Sequence, residues 1–373
     1  MKLAMLSPLL GTALAGALVV SSAPAQAAPA PVVHRSEARA SAMAPGSYLT
    51  VVNRGPEQHE FGGIDPRSQS LVLVSPTGEQ RVVYTHKVQH FLTFVLADWS
   101  VDGSTALLVL PDRAGGDLIK VDVATGSAQS IAVPRLNSAI LDPTGAGALV
   151  TAFKGKRSST LVLDAVSWTG TVTRLRDSVS GTMIAGPGGT VLTADGDHGR
   201  TQLLLSTTTG ALVNQFHGKG FCSPVRWWDA TRLLESCSNA FDLYLVDPTT
   251  GSRSRLTSEH GRNDYGHLDA RQLGSRLYVQ VAGPCGYTFV AKVAHGSTRA
   301  IKVPGAVGNI IMVNTVGSDL VLEHAASCDG RRPRSVLATY DPATHHETPL
   351  VTLGKHEDFG GILVLGEVHA TTY

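Results

Sequence analysis

Residues 98–133 read DWSVDGSTALLVLPDRAGGDLIKVDVATGSAQSIAV. Apolar β-formers fill 105–110 and 118–123, the Asp102-Gly103 pair suits a tight hairpin, and Thr125-Gly126 closes a second turn. The segment predicts strand, tight turn, strand, loop, strand, Thr-Gly turn, strand. The same phrase recurs along the chain. SPTG ends at Gly78, SWTG at Gly170, TTTG at Gly210 and DPTTG at Gly251, and equivalent turns end at Gly296 and His345. With Gly126 these make seven ends, spaced 48, 44, 40, 41, 45 and 49 residues apart.

A period of 40 to 50 residues carrying four strands is the mark of a propeller blade. A β-rich hexamer precedes each turn: LVLVSP, LIKVDV, LVLDAV, LLLSTT, LYLVDP, FVAKVA and LATYDP. Seven further strands lie upstream of these, from SYLTVV at 47–52 to LVLEHA at 320–325. Only six innermost strands follow the pattern, namely FVLADW, SAILDP, GTMIAG, SPVRWW, GHLDAR and NIIMVN. The unit starting at Gly46 lacks one, and GILVLG at 361–366 supplies it. The reading is an all-β chain with a single seven-bladed β-propeller over 46–373, closed by a C-terminal strand in the N-terminal blade. Closure removes two free sheet edges that would otherwise invite intermolecular pairing. Six or eight blades follow instead if the weak unit at 177–217 is misread.

WSVDGS at 99–104 followed by LIKVDVATG resembles the W-S-P-D-G-S … L-Y-x-V-D-x-x-T-G blade of the TolB-like, WD40-like β-propellers. LYLVDPTTGSRSRLT repeats the second half, LDPTG and GPGG echo it, and Val101 stands where the family has Pro. By period, the likeness covers nearly all of 46–366. The family's namesake carries an α/β domain ahead of its propeller, for which 28–45 is too short. The resemblance therefore implies the fold and not the Tol role. Trp99, Asp102, Gly103, Asp122 and Asp247 are read as packing and turn residues.

Lys2, the apolar run 3–20 and the small residues ending at Ala25-Gln26-Ala27 have the layout of a secretory signal. An uncleaved anchor is the alternative. Residues 28–45, rich in Ala, Pro and Ser, read as a flexible linker. Removing Lys2 with the signal leaves 30 basic against 30 acidic side chains, so no basic field exists to hold nucleic acid or an anionic membrane. The expectation is a secreted or extracytoplasmic monomer with no membrane insertion after signal removal and no cofactor.

Four cysteines in an exported chain should pair. Cys222 and Cys237 face each other across one hairpin and Cys285 and Cys328 occupy loops after the second strand in neighbouring blades, so of three connectivities the topology favours Cys222 with Cys237 and Cys285 with Cys328. First-to-second and third-to-fourth turns share one face and are short, whereas blade connections and second-to-third loops share the other and are long and polar. Binding concentrates on loops held by a rigid scaffold, so the long-loop face is read as functional. Its candidates are His260, Arg262, Asp264, Tyr265 and His267 in SEHGRNDYGHLD, and His356, Glu357 and Asp358 in KHEDFGG. No H-x-x-H or H-E-x-x-H spacing occurs, so no metal is expected. The function expected is a binding scaffold for a protein, peptide or cell-envelope glycan. The alternative is a propeller lyase or glycosidase using His267, His356, Glu357 and Asp264 as acids and bases. An enzyme requires at least two of these groups to converge in a pocket.

Overall fold

The computed structural model describes residues 43–370 apart from 57–63, 90–91, 113–114, 156–157, 196–199, 219, 238–241, 259, 261–262, 295–298, 305–308 and 326–333. The signal and most of the linker lie outside the described residues. Within them the chain is all-β, with one 3-10 turn at Pro284–Gly286.

The strands follow one another as antiparallel meanders. The first sheet takes β1 (Tyr48–Arg54), β2 (Ser68–Val74) and β3 (Gln80–Lys87), and the second takes β4 (Val95–Trp99), β5 (Thr105–Asp112), β6 (Gly115–Asp122) and β7 (Ala128–Val133). Seven strands then form one sheet: β8 (Leu136–Leu141), β9 (Gly147–Phe153), β10 (Leu161–Ser167), β11 (Val172–Gly186), β12 (Thr190–Asp195), β13 (Thr201–Ser206) and β14 (Leu212–His217). The next sheet is β15 (Cys222–Trp227), β16 (Leu233–Cys237), β17 (Asp242–Val246) and β18 (Arg253–Arg255). It is followed by β19 (Gly266–Leu273), β20 (Arg276–Ala282), β21 (Thr288–Val293) and β22 (Ala300–Lys302). The last consecutive set is β23 (Asn309–Val316), β24 (Asp319–Ala325), β25 (Val336–Asp341) and β26 (His346–Thr352). Finally β27 (Glu357–Val364) pairs antiparallel with β1, from Tyr48 opposite Val364 to Arg54 opposite Glu357.

The arrangement is a β-propeller in which five blades stand as separate four-stranded sheets. The seven-stranded sheet falls where the repeat is weakest. β11 is 15 residues long; its first part pairs with β10, and its second part, beyond a register break between Val179 and Met183, pairs with β12. Ser178, with φ 61, marks the bend between the two parts.

Burial of strands on both faces drives the packing: β1 is buried throughout Tyr48–Val52 and β9 throughout Gly147–Ala152. Apolar clusters fill the spaces between neighbouring sheets, as where Leu49, Val51 and Leu71 meet Leu96, Trp99, Ala106 and Ile119. Another joins Tyr48, Val72 and Val74 to Val313, Val321, Leu337 and Val351, so the first sheet also packs on the last. Each such side chain contributes about 1.5–3 kcal/mol on burial. The Thr-Gly turns touch the neighbouring blade directly. Gly126 has φ +74, and a Cβ there would stand 2.3 Å from the Val83 carbonyl oxygen in β3. At Gly78, with φ +87, the same construction meets the Leu350 carbonyl oxygen of β26 at 2.4 Å. The last turn has His345 at φ 60 in place of glycine.

One boundary differs from the sequence reading. β27 begins at Glu357, before the Gly360-Gly361 pair, because Glu357 pairs in charge with Arg54 and the glycines form a bulge inside the strand. Gly361 takes φ +130 there.

Candidate functional site

A cavity opens at the short-turn ends of the inner strands. Its volume is about 970 Å³, and its wall is the set of first-to-second-strand turns after β4, β8, β11 and β15, with Gln272 and Thr315 from the corresponding ends of β19 and β23. All four tryptophans of the chain line it: Trp99, Trp168, Trp227 and Trp228. Three are fixed by indole N–H donation to backbone carbonyls. Trp99 Nε1 donates to Gly103 at 2.9 Å, Trp168 to Gly145 at 3.0 Å and Trp227 to Ala185 at 2.7 Å. Lys120 Nζ lies 4.8 Å from the centre of the Trp168 ring, and the Arg226 guanidinium 5.3 Å from that of Trp228. Rigid aromatic faces bearing cations are surfaces on which a ligand can stack without first ordering the protein.

The floor is charged. Arg226 and Arg271 are nearly buried, flank Asp269 at 3.1 and 3.5 Å, and lie on the inner strands β15 and β19. Arg271 also donates to both carboxylate oxygens of Glu367, at 2.7 and 2.8 Å, and to the Val313 carbonyl at 2.7 Å. Burial would raise the Glu367 carboxyl, but the His369 hydrogen bond and the Arg271 charge outweigh it and hold it down at about 2. Across the cavity, burial pushes Asp98 up to about 6 against hydrogen bonds from the Leu141 and Trp99 N–H groups and the charge of His369.

The chain's own tail reaches this mouth. Leu365 N–H donates to Ser47, and the tail then turns and runs along β15: Trp227 N–H donates to the Val368 carbonyl at 3.2 Å, and Ala370 N–H to the Val225 carbonyl at 2.9 Å. Arg226 and His369 form the intervening antiparallel bridge. Thus β15, the inner edge of its sheet, takes on an extended segment by backbone pairing.

The sequence-predicted residues divide. His260, Asp264 and His267 converge on the opposite face. Asp264 lies 2.9 Å from His260 Nδ1 and 3.0 Å from His267 Nε2. Their neighbour Tyr265 is exposed, and Arg262 lies outside the described residues. His356 is exposed. Glu357 and Asp358, read as loop residues, are instead strand residues of β27. Glu357 bonds Arg54 Nε at 2.5 Å, and Asp358 accepts from Asn53 Nδ2 at 2.8 Å and from the Ile64 N–H at 3.0 Å. Neither group of residues lines the cavity, whereas Asp142 and Thr144 on the plain-turn face do. Cys222 and Cys237 form the expected disulfide across β15 and β16. The Cys285–Cys328 pairing lies outside the described residues.

Trp99 is buried in the cluster between the first two sheets, as the sequence reading expects, with its edge at the cavity; the other three indoles are the ones that reading passed over. The positions carried the signal: Trp99 and Trp227-Trp228 end inner strands and Trp168 sits in a Thr-Gly turn, which places all four at one face.

Known structures share this architecture. This chain has the fold of the β-propellers. TolB from Acinetobacter baumannii is 11% identical over 84% of the chain and 66% of its own, with a TM-score of 0.47. An acylaminoacyl peptidase, solved in complex with Z-Gly-Gly-Phe-chloromethyl ketone, is 11% identical with a TM-score of 0.52, over 76% of this chain and 48% of its own. The dihydro-haem d1 dehydrogenase NirN, in complex with DHE, is 12% identical with a TM-score of 0.51, over 90% and 78%. This propeller thus spans about two thirds of the TolB chain and about half of the peptidase. At such identities the likeness is one of fold. No family model matches the sequence, and no curated protein matches it.

Proposed function

We propose that this chain is an exported, seven-bladed binding scaffold that takes an extended peptide segment of a partner protein at the short-turn mouth. The observation that carries the reading is the gathering of all four tryptophans in one cavity beside a strand edge that already accepts an extended segment. Strand addition supplies affinity through the backbone, and flanking pockets supply specificity. A partner segment binds in place of the tail.

Seven blades are supported by the division of β11 between two four-stranded units and by the pairing of β27 with β1. Contact of Gly78 with β26 and the cluster shared by the first and last sheets support a closed ring. Export is supported by the leader-like N-terminus and by the disulfide, which persists in oxidising compartments. The enzyme alternative has His267 and Asp264 within hydrogen-bond reach, but neither lines the cavity.

The test is a paired alanine series against peptides selected from a displayed library on the protein. Trp168→Ala and Trp228→Ala should each weaken binding at least 10-fold, as central aromatic contacts do. Tyr265→Ala and His356→Ala on the other face should leave it within about 2-fold. Losses confined to the second pair would return the site to the long-loop face.

A further inference from the structure

The His260, Asp264 and His267 cluster lies apart from the tryptophan cavity, and its geometry is that of a ligand set. His260 stands in the loop between β18 and β19, Asp264 four residues on, and His267 three further, inside β19. One ligand atom from each of the three, an imidazole nitrogen of His260, one of His267 and a carboxylate oxygen of Asp264, lies within 4.8 Å of the other two. The Asp264 and His267 side chains are buried, and that of His260 is 23% exposed. Tetrahedral ligands held at about 2.0–2.1 Å from an ion stand about 3.3 Å apart. His260 Nδ1 meets Asp264 Oδ1 at 2.9 Å and His267 Nε2 meets Oδ2 at 3.0 Å, so the one carboxylate already holds both imidazoles close to that spacing from itself.

The far side of His260 points the same way. Its Nε2 faces Asp242 Oδ1 at 3.3 Å, and both atoms are buried without a hydrogen-bond partner. If neutral His260 donated from Nδ1 to Asp264, Nε2 would present a lone pair to the Asp242 carboxylate. An ion on Nδ1 moves the proton to Nε2, where Asp242 can accept it. This is the carboxylate–histidine–metal arrangement that orients a ligating imidazole. Asp242 is in turn held by an ion pair with Arg255.

We propose that His260, Asp264 and His267 form a mononuclear divalent-metal site, with Asp242 as a positioning residue and a solvent-facing coordination position beside His260. Two imidazoles and one carboxylate suit zinc and its borderline neighbours rather than calcium or magnesium. Three protein ligands leave a position open to water or an incoming group.

The probes are Zn²⁺ and Co²⁺ themselves, added to untagged, chelator-treated protein with no peptide present. Zinc competition against a chromophoric chelator should show one equivalent. Cobalt should give the visible absorption of a low-coordinate site. His267→Gln and Asp264→Asn should weaken zinc at least 100-fold, and Asp242→Asn by 10- to 100-fold. His260→Gln, on the partly exposed loop residue, serves if the buried variants fail to fold, and should also weaken zinc at least 100-fold. Absence of a zinc equivalent in the native protein, or an equivalent that survives His260→Gln, would overturn the site. Peptide binding at the other face is measured separately, so failure of either assignment is recognised without the other.

Discussion

Replacing Glu367 with glutamine tests how the tail is anchored. The substitution keeps the side chain's shape and removes its charge. In the folded chain that carboxyl accepts from Arg271 and sits 3.0 Å from His369 Nε2, which against the cost of burial holds it at about 2, below an ordinary 4.5. That depression corresponds to about 3 kcal/mol in favour of the folded state. Arg271 keeps Asp269 at 3.5 Å and the Val313 carbonyl, so part of that is retained and the expected loss is about 2–3 kcal/mol. With unfolding entropy of about 2.1 cal/mol/K per residue, a propeller of this length should melt roughly 3–4 °C lower. Because the folded pKa is depressed, the contribution is present above pH 4.5 and disappears as pH falls towards 2. Urea unfolding followed by tryptophan emission at pH 7 and at steps down to pH 3 measures both quantities. Equal midpoints for the two proteins at pH 7, or a gap that does not narrow in acid, would refute the reasoning.

Other perturbations probe the remaining supports. Reducing the Cys222–Cys237 bridge, a separation of 15 residues, should cost roughly 3 kcal/mol, read as a lower melting temperature with reductant; an unchanged melt would show that the bridge stabilises nothing. Glu323 is pushed up to about 8 by burial and by the charge of Asp358. Its raised folded pKa means that stability present below pH 4.5 is lost as pH rises to 8, by up to about 1.4 kcal/mol per pH unit. Denaturation between pH 5 and 9 should show that slope flattened in Glu323→Gln, and an identical slope in the variant counts against it. Gly210→Ala combines φ +68 with a Cβ placed 2.1 Å from the Leu175 carbonyl oxygen, whereas Gly145→Ala at φ +77 meets nothing within 4 Å. The second should cost about 1–2 kcal/mol for its backbone alone and the first distinctly more, as thermal melts will show.

Much of the fold was legible because turn chemistry and short apolar β-forming runs are local. Gly126 and Gly210 mark left-handed turn positions wherever the phrase recurs, and His345 occupies the same conformation despite its side chain. Counting assigned an inner strand to the C-terminal segment, and β27 of that segment pairs with β1. The reach of β27 was not legible, since a Gly-Gly pair reads equally as a turn or a bulge and the Glu357–Arg54 contact joins residues 303 apart. The disulfide followed from register within one hairpin. The cavity was missed because loop length, the signal chosen, says nothing of where inner strands leave room. His260, Asp264 and His267 were picked for their chemistry, but only the three-dimensional course of the loop brings them onto one carboxylate.

Intrinsic tryptophan emission gives the most direct test, because all four indoles of the chain line the cavity. A chain ending at Leu365 retains β27 and lacks the segment that covers β15. Titrating it with a synthetic peptide of residues 366–373 should give a saturable emission change at one equivalent, reduced at least 10-fold in affinity by Trp228→Ala and absent with a reversed-sequence peptide. A truncated chain that stays folded by circular dichroism but shows no emission change, or responds equally to both peptides, would contradict a peptide-binding mouth.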